Sequence, residues 1–412
     1  MVSAMHVSRR LARSPMTSLL LILNAGSSSI KFAAFEAREP PERLLTGQID
    51  AIGTTPVFAA KGADGERLLT PGWRDGEGPK DHGDALDAIL SFLQRALPDG
   101  QVELVGHRIV HGGPDLDAPA QVDDALIARL TDLVPLAPLH QPHNIAGIAA
   151  ARKVFPAALQ VACFDTNFHR GRSFPDDAYA IPRQFYEAGV RRYGFHGISY
   201  DSVWRRLVGI DPRMAERRAI IAHLGNGASA CLVKAGRSLA STMGFTPLDG
   251  LIMGTRPGQI DPGVLLWLMQ ARGMDGQAIA DLLYRQSGLK ALSGLSNDMR
   301  TLEASPDPAA AQAISAFVQR LAREIASLAA IDNGFDALVF TGGIGENSTT
   351  VRGAVMERLA FLGVRFDAAL NAASALVLSP ADAAIASYVI PTDEEAMMAQ
   401  YTLTLATKRT SP

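Results

Sequence analysis

The residues of this chain that could do chemistry sit in short glycine-rich segments, and most of them suit an anion. The stretch Asn24-Ala25-Gly26-Ser27-Ser28-Ser29-Ile30-Lys31 offers turn amides, the hydroxyls of Ser27 and Ser29, and a lysine. Backbone amides in a turn make a concave anion site without any helix. Lys31 lies two residues past Ser29, so in an outgoing strand both fall on one face. The order differs from the G-x-x-x-x-G-K-[ST] phosphate loop, which runs from a strand into a helix. Here apolar runs, Leu19–Leu23 and Ile30–Phe35, flank the turn on both sides, which predicts a β-hairpin with a phosphate-binding tip.

Cationic and imidazole side chains recur in the same kind of setting. Arg108 lies in Gly106–Gly113, Arg256 in Met253–Gly258, His196 in Tyr193–Gly197 and His140 in Pro138–His143. One such segment is an ordinary structural feature. Several together point to side chains converging on an anion in a cleft. Gly342-Gly343-Ile344-Gly345-Glu346-Asn347 follows an apolar strand and lets a nucleotide approach the backbone, but it does not complete G-x-G-x-x-G. Among carboxylates, Asp165 ends the strand-like Phe164 segment, a place for a magnesium-linked acid. In Thr392-Asp393-Glu394-Glu395 a capping box of Thr392 and Glu395 would leave Glu394 free for another role.

The elements that must position these residues can be read from periodicity. Beyond the first two strands, strands are expected at Leu44–Ile49, Val57–Lys61, Glu103–Val110, Asp336–Gly343 and Ala383–Ile390. Helices are expected at Gly83–Leu97, Asp123–Leu133, Asn144–Val154, Gly263–Arg272, Gly276–Leu289, Ala309–Ala330, Glu346–Leu362 and Glu394–Ala406. Ala219–Val233 repeats the strand-turn-strand order of Leu19–Phe35, as expected of two related domains. Strands mixed with helices throughout indicate an α/β protein.

Composition sets the bounds. The chain has 412 residues, 47% hydrophobic and 20% charged, the profile of a globular protein of two or three domains. A net charge of -3 gives no electrostatic case for nucleic acid. No stretch after the N-terminus is long and apolar enough to span a membrane. The two cysteines, Cys163 and Cys231, lie in strand-like segments without metal-ligand spacing and read as buried thiols in a reducing cytosol. The N-terminus imitates a secretory signal, but its apolar run is short and cleavage after Ala25 would split the hairpin. Residues 1–16 are expected to form a disordered leader, or to precede a true start at Met16.

Nine segments occur in order along the chain: Asn24–Lys31, GHRIVHGG, PLAPLH, FDTNF, YGFHG, HLGNGAS, MGFTPLDGLIMGTR, FTGGIGEN and PTDEE. With them the sequence resembles the acetate kinase family, within the actin/hexokinase-like phosphotransferases. The resemblance implies two ribonuclease-H-like domains with an active-site cleft between them. Residues 17–164 plus 394–412 would form the N-terminal, acetate-side domain, and 165–393 the nucleotide-binding domain. It also implies a cytoplasmic homodimer and reversible, direct in-line transfer between ATP and acetate, giving ADP and acetyl phosphate. Mg²⁺ would assist, with Mn²⁺ as a substitute.

By the same resemblance, Asn24 and Glu394 would form the metal site, and Lys31, His223, Leu224, Gly225, Asn226, Gly227, Asp298, Met299, Arg300, Gly343, Ile344, Gly345, Glu346 and Asn347 would contact the nucleotide. Arg108 would bind the acetate carboxylate, and Asp165 would be the active-site acid. His196 and Arg256 would stabilise the transition state, with His140 nearby. Val110, Leu139, Phe195 and Pro247 would enclose the methyl group. One departure stands out: after Arg256 the family commonly reads Ser-Gly-Asp, and this chain reads Pro257-Gly258-Gln259. The competing readings are a propionate or butyrate kinase of the same family and a catalytically silent actin-like ATP-binding regulator. A dehydrogenase is disfavoured by the incomplete glycine fingerprint.

Overall fold

The computed structural model describes residues 16–410 except Ser27, Asp75, Gly76 and Leu139. All of the expected leader but Met16 therefore lies outside the described residues, as do the phosphate-loop Ser27 and the pocket residue Leu139.

Two sheets organise the chain. The first contains β1 (Thr17–Ala25), β2 (Ile30–Glu36), β3 (Glu42–Asp50), β4 (Val57–Gly62), β5 (Gly100–Ile109), β6 (Ala120–Gln121) and β7 (Leu159–Phe164), in the order β4-β3-β2-β1-β5-β7-β6. The second contains β8 (Arg218–Leu224), β9 (Ala228–Lys234), β10 (Arg237–Ser241), β11 (Ala337–Thr341) and β12 (Ala386–Val389), in the order β10-β9-β8-β11-β12. In each, an antiparallel meander leads, of four strands in the first sheet and three in the second, and its first strand pairs in parallel with a later one: β1 with β5, β8 with β11. The order β3-β2-β1-β5-β7 thus matches β10-β9-β8-β11-β12, so the similarity of Leu19–Phe35 to Ala219–Val233 extends to whole sheets.

The central strands are apolar throughout because both of their faces are covered. Leu21 and Leu23 pack with Leu86, Ile89 and Phe92 of the helix His82–Ala96, while Leu20 and Ile22 pack with Met397, Met398 and Leu403 of the helix Glu394–Thr410. In the second sheet, Ile220, Ala222 and Leu224 face the helix Pro308–Ile331, and Ala219 and Ile221 face Tyr200, Val203 and Leu207 of the helix Gly197–Ile210. The last helix therefore returns to the first sheet. Cys163 and Cys231 are both free and buried.

Three local expectations need correction. Glu346–Leu362 is not one helix: Gly342–Asn347 and Thr349–Arg358 are separated by Ser348, which is extended and caps the second with its side chain. Gly276–Leu289 likewise breaks into Gly276–Arg285 and Gly288–Ser293, because Gly288 takes φ +69°. The cap of the last helix is Asp393, whose carboxylate accepts from Ala396 N at 3.0 Å, and not Thr392.

Candidate active site

The candidate residues stand at the C-terminal ends of the parallel strands, the ligand side of open α/β sheets. Asn24, Arg108 and His223 are the last residues but one of β1, β5 and β8, Asp165 follows β7, and Gly342 follows β11. Both hairpins form. Ala25 pairs with Ile30, and Gly26 N donates to Ser29 O at 2.8 Å; Leu224 pairs with Ala228, and Gly225 N donates to Gly227 O at 3.0 Å.

Arg108 lies between two carboxylates. Its Nε and Nη2 donate to Asp165 at 3.1 and 2.9 Å, and its Nη1 lies 2.9 Å from Glu394 Oε2. A guanidinium has five N–H donors, so two remain for a ligand. Burial pulls this guanidinium down, but Asp165 and Glu394 outweigh it and leave it above its ordinary value. Burial holds the Asp165 carboxyl above its own ordinary value; Arg108 opposes that rise and Glu394 adds to it.

The strand ends are clamped by Asn144 of the helix Gln141–Val154. Its Nδ2 donates to Ala25 O at 3.2 Å, and its Oδ1 accepts from Val110 N at 3.0 Å. His82 Nε2 lies 2.7 Å from Gly26 O and its ring stacks on His143, which holds the first hairpin tip from outside. His140 precedes the same helix; burial, then the fields of Arg256 and Arg108, lower its imidazole to about 4.

His196 and His223 stack with centroids 4.4 Å apart. His196 takes the left-handed backbone at φ 58°, an uncommon choice for a non-glycine residue. Burial, reinforced by His223, Arg108 and Arg256, holds its imidazole well below the ordinary value, so the ring is neutral. A Cβ on Gly227 would lie 3.4 Å from His196 Nε2 and 3.6 Å from Arg256 Nη2, so both tips border the second hairpin at Gly227.

Arg256 is half-buried, donates to Pro247 O at 2.9 Å, and has no carboxylate partner among the described residues. Its loop is held by backbone bonds, Ser287 N to Thr255 O and Leu289 N to Met253 O, at the bend made by Gly288. Phe195 and Pro247 are buried, and Val110 packs on the cluster that contains Phe195.

On the nucleotide side, Asn297 Nδ2 donates to Asn226 Oδ1 at 3.0 Å, which brings Asp298 and Met299 toward the second hairpin. Asp298 caps its own short helix and pairs with the exposed Arg300. Gly342 needs φ +77°, and a Cβ there would crowd the Leu224 backbone at 2.9 Å, so the helix Gly342–Asn347 sits against β8. Glu346 turns inward and accepts from Gly342 N and Thr392 N, while Gly343, Ile344 and Asn347 are left outward or half-exposed. Arg108 thus joins Asp165 and Glu394 directly, and its field and that of Arg256 reach His140 and His196, the latter stacked on His223; Asn24 pairs with Lys31 on the first hairpin, and Arg300 projects outward. Sequence reading missed Asn144 and Tyr200, and read Ser229 only as part of the second hairpin. Asn144 had a signal in its place four residues after His140, on one helix face.

A model of the acetokinase family matches residues 19–400. The acetate kinase of Nitrobacter hamburgensis is 51% identical over 394 residues, covering 95% of this chain and 97% of that protein. Among solved structures, a propionate kinase from Francisella tularensis superposes with TM-score 0.87 at 35% identity, covering 94% of this chain and 99% of the other. Porphyromonas gingivalis acetate kinase gives 0.84 at 35% identity, covering 94% and 100%. The fold is accordingly the actin/hexokinase-like ATPase fold, and the chain belongs to the acetokinase family, phosphotransferases whose acceptor is a carboxyl group.

Proposed function

We propose that this chain transfers the γ-phosphoryl group of ATP directly to acetate, reversibly, giving acetyl phosphate and ADP. The observation that carries the proposal is that Arg256, a guanidinium without a carboxylate partner among the described residues, and the neutral imidazole of His196 both border Gly227. Acetate is already an anion and needs no general base. The barrier is charge: two anions must meet, and a flat migrating phosphoryl must be stabilised. Arg256 and His196 Nε2 would meet its oxygens, with His140 behind them. Arg108 would receive the acetate carboxylate on its two remaining N–H groups, oriented by Asp165. Both Asp165 oxygens are engaged by Arg108, which favours direct transfer over a phospho-aspartate. Val110, Leu139, Phe195 and Pro247 would enclose the methyl group. Lys31, the two hairpin tips with Ser27 and Ser29, Asp298–Arg300 and Gly343–Asn347 would hold the nucleotide.

The charge count supports a divalent ion. Arg108 is already paired with Asp165 and Glu394, which leaves Arg256 and Lys31 to face the several negative charges of ATP and acetate. Mg²⁺ characteristically keeps several waters and takes one or two carboxylates beside the substrate phosphates. Asn24 and Glu394 would hold Mg²⁺ (or Mn²⁺), which supplies positive charge to the phosphate oxygens when bound.

Residues 17–164 with 394–412 would move as the acetate lobe against 165–393. A homodimer would cover the helix Pro262–Arg272, where Leu266, Trp267 and Met269 are each half-exposed or more. Trp267→Glu should then shift the molar mass in solution to that of one chain. Buried free thiols suit the cytoplasm, and no helix among the described residues is long and apolar enough to cross a membrane.

The test is trapping of acetyl phosphate with hydroxylamine in the presence of ATP, Mg²⁺ and acetate; no hydroxamate from folded protein refutes the proposal. One methylene in an apolar pocket is worth only about 1–3 kcal/mol, so kcat/KM for acetate against propionate decides between the two acids.

A further inference from the structure

Beyond the cleft residues, a buried hydroxyl pair backs His196. Its Nδ1 lies 2.8 Å from Ser229 Oγ, and Ser229 is hydrogen-bonded in turn to Tyr200 Oη. Ser229 and Tyr200 are fully buried, Ser229 on β9 and Tyr200 on the helix Gly197–Ile210.

Counting protons settles their direction. The Tyr200 hydroxyl has one hydrogen-bond partner among the described residues, Ser229, so its proton goes there. The Ser229 proton then needs an acceptor, and the one in reach among the described residues is His196 Nδ1. An accepting Nδ1 is unprotonated, so in a neutral ring the proton sits on Nε2. That nitrogen has no partner among the described residues and is the one beside Gly227 and the Arg256 tip.

We propose that Ser229 and Tyr200 are positioning residues: a relay from Tyr200 through Ser229 to His196 Nδ1 fixes the tautomer and ring angle that aim the Nε2–H donor at the migrating phosphoryl. This rests on the role given above to His196. Burial, which keeps the imidazole neutral, makes the tautomer the deciding variable.

The test reads the tautomer and the kinetics separately. In ¹⁵N-histidine-labelled protein, with the His196 signals assigned by their loss in His196→Gln, long-range ¹⁵N–¹H correlation should show the proton on Nε2. A proton on Nδ1 overturns the proposal whatever the activity. Ser229→Ala should lower kcat roughly tenfold, the low end of the loss seen when metal-bound histidines lose their outer hydrogen-bond partner, with KM for acetate within about twofold. Tyr200→Phe should act in the same direction, and Ser229→Thr, which keeps the hydroxyl, should restore kcat. Should Ser229→Ala fold poorly, the double variant Ser229→Ala/Tyr200→Phe removes the orphaned phenol and is measured in its place. Normal kcat in a folded Ser229→Ala or double variant also overturns the relay. Normal kcat in His196→Gln would instead overturn the role of His196 itself, and the tautomer measurement would still decide the relay.

Discussion

Arg256→Ala separates catalysis from folding because of what Arg256 touches. Among the described residues it donates to one carbonyl, Pro247 O, and leaves no carboxylate behind when it is truncated. Its loop is held by Ser287, Gly288 and Leu289, not by the side chain. The structural loss is therefore one hydrogen bond to a charged donor, about 1.5–3 kcal/mol at most. The catalytic loss is a donor aimed at charge that develops only in the transition state, typically 10²–10³ in kcat, or about 3–4 kcal/mol. Arg108→Ala is the comparison in which folding suffers as well as catalysis. It strands Asp165, whose side chain is 3% exposed, with an unpaired charge, and breaking such a buried pair costs about 3–5 kcal/mol. Hydroxamate formation at saturating acetate and ATP, with thermal melts of the same samples, reads both. Turnover within threefold of the parent in an Arg256→Ala protein that melts normally refutes the reasoning. So does a loss of melting temperature equal to that of Arg108→Ala.

Asn144→Leu should cost about 2–4 kcal/mol, since Ala25 O and Val110 N both lose a buried partner, and should raise KM for acetate as the Arg108 strand end loosens; an unchanged denaturant midpoint contradicts this. Acid should destabilise the chain through His107 and His111, lowered by burial from 6.5 to about 4 and about 3. Their native values lie below the unfolded one, so the stability they contribute is complete above pH 6.5 and drains away as pH falls toward 4, by up to about 2.7 kcal/mol per pH unit for the two groups together; urea midpoints that stay level from pH 7 to 5 rule it out. Gly258→Ala should cut kcat at least tenfold, because a Cβ there would lie 2.3 Å from Leu251 O at φ +70°, whereas Gln259→Ala should keep kcat within about threefold; the reverse ranking would refute the loop account.

The hairpins were legible because an apolar run, a glycine-serine turn and a second apolar run leave few alternatives. The duplication was legible for the same reason, and the matching sheet orders extend it. What escaped depends on contacts between distant segments. Nothing local shows that Ser229 and Tyr200 will meet behind His196, since β9 and the helix Gly197–Ile210 are brought together by the packing of Tyr200, Val203 and Leu207 on the second sheet. Glu394 was named as a metal residue, but its pairing with Arg108 follows only from the return of the last helix to the first sheet. The helix breaks at Ser348 and Gly288 were missed because apolar spacing continued across them. At Gly288 the cause is tertiary: the bend lets its neighbours bond the Arg256 loop.

That loop also answers the departure at Pro257-Gly258-Gln259. A carboxylate at position 259 would face Arg323, whose Nη2 instead donates to Gln259 Oε1 at 2.7 Å. The amide keeps the acceptor and gives up only charge, opposite an arginine whose side chain is 58% exposed, where ion pairs are worth little. The stronger restraints are indifferent to the side chain. Gln259 N donates to Gly250 O, Met253 N to Arg256 O, and Arg320 spans the carbonyls of Gly250 and Gln259 at 3.1 Å each. Gly258 supplies the left-handed turn that a side chain would block. The conformation that delivers Arg256 is therefore set by backbone and glycine, and the substituted carboxylate can be absent without moving the guanidinium.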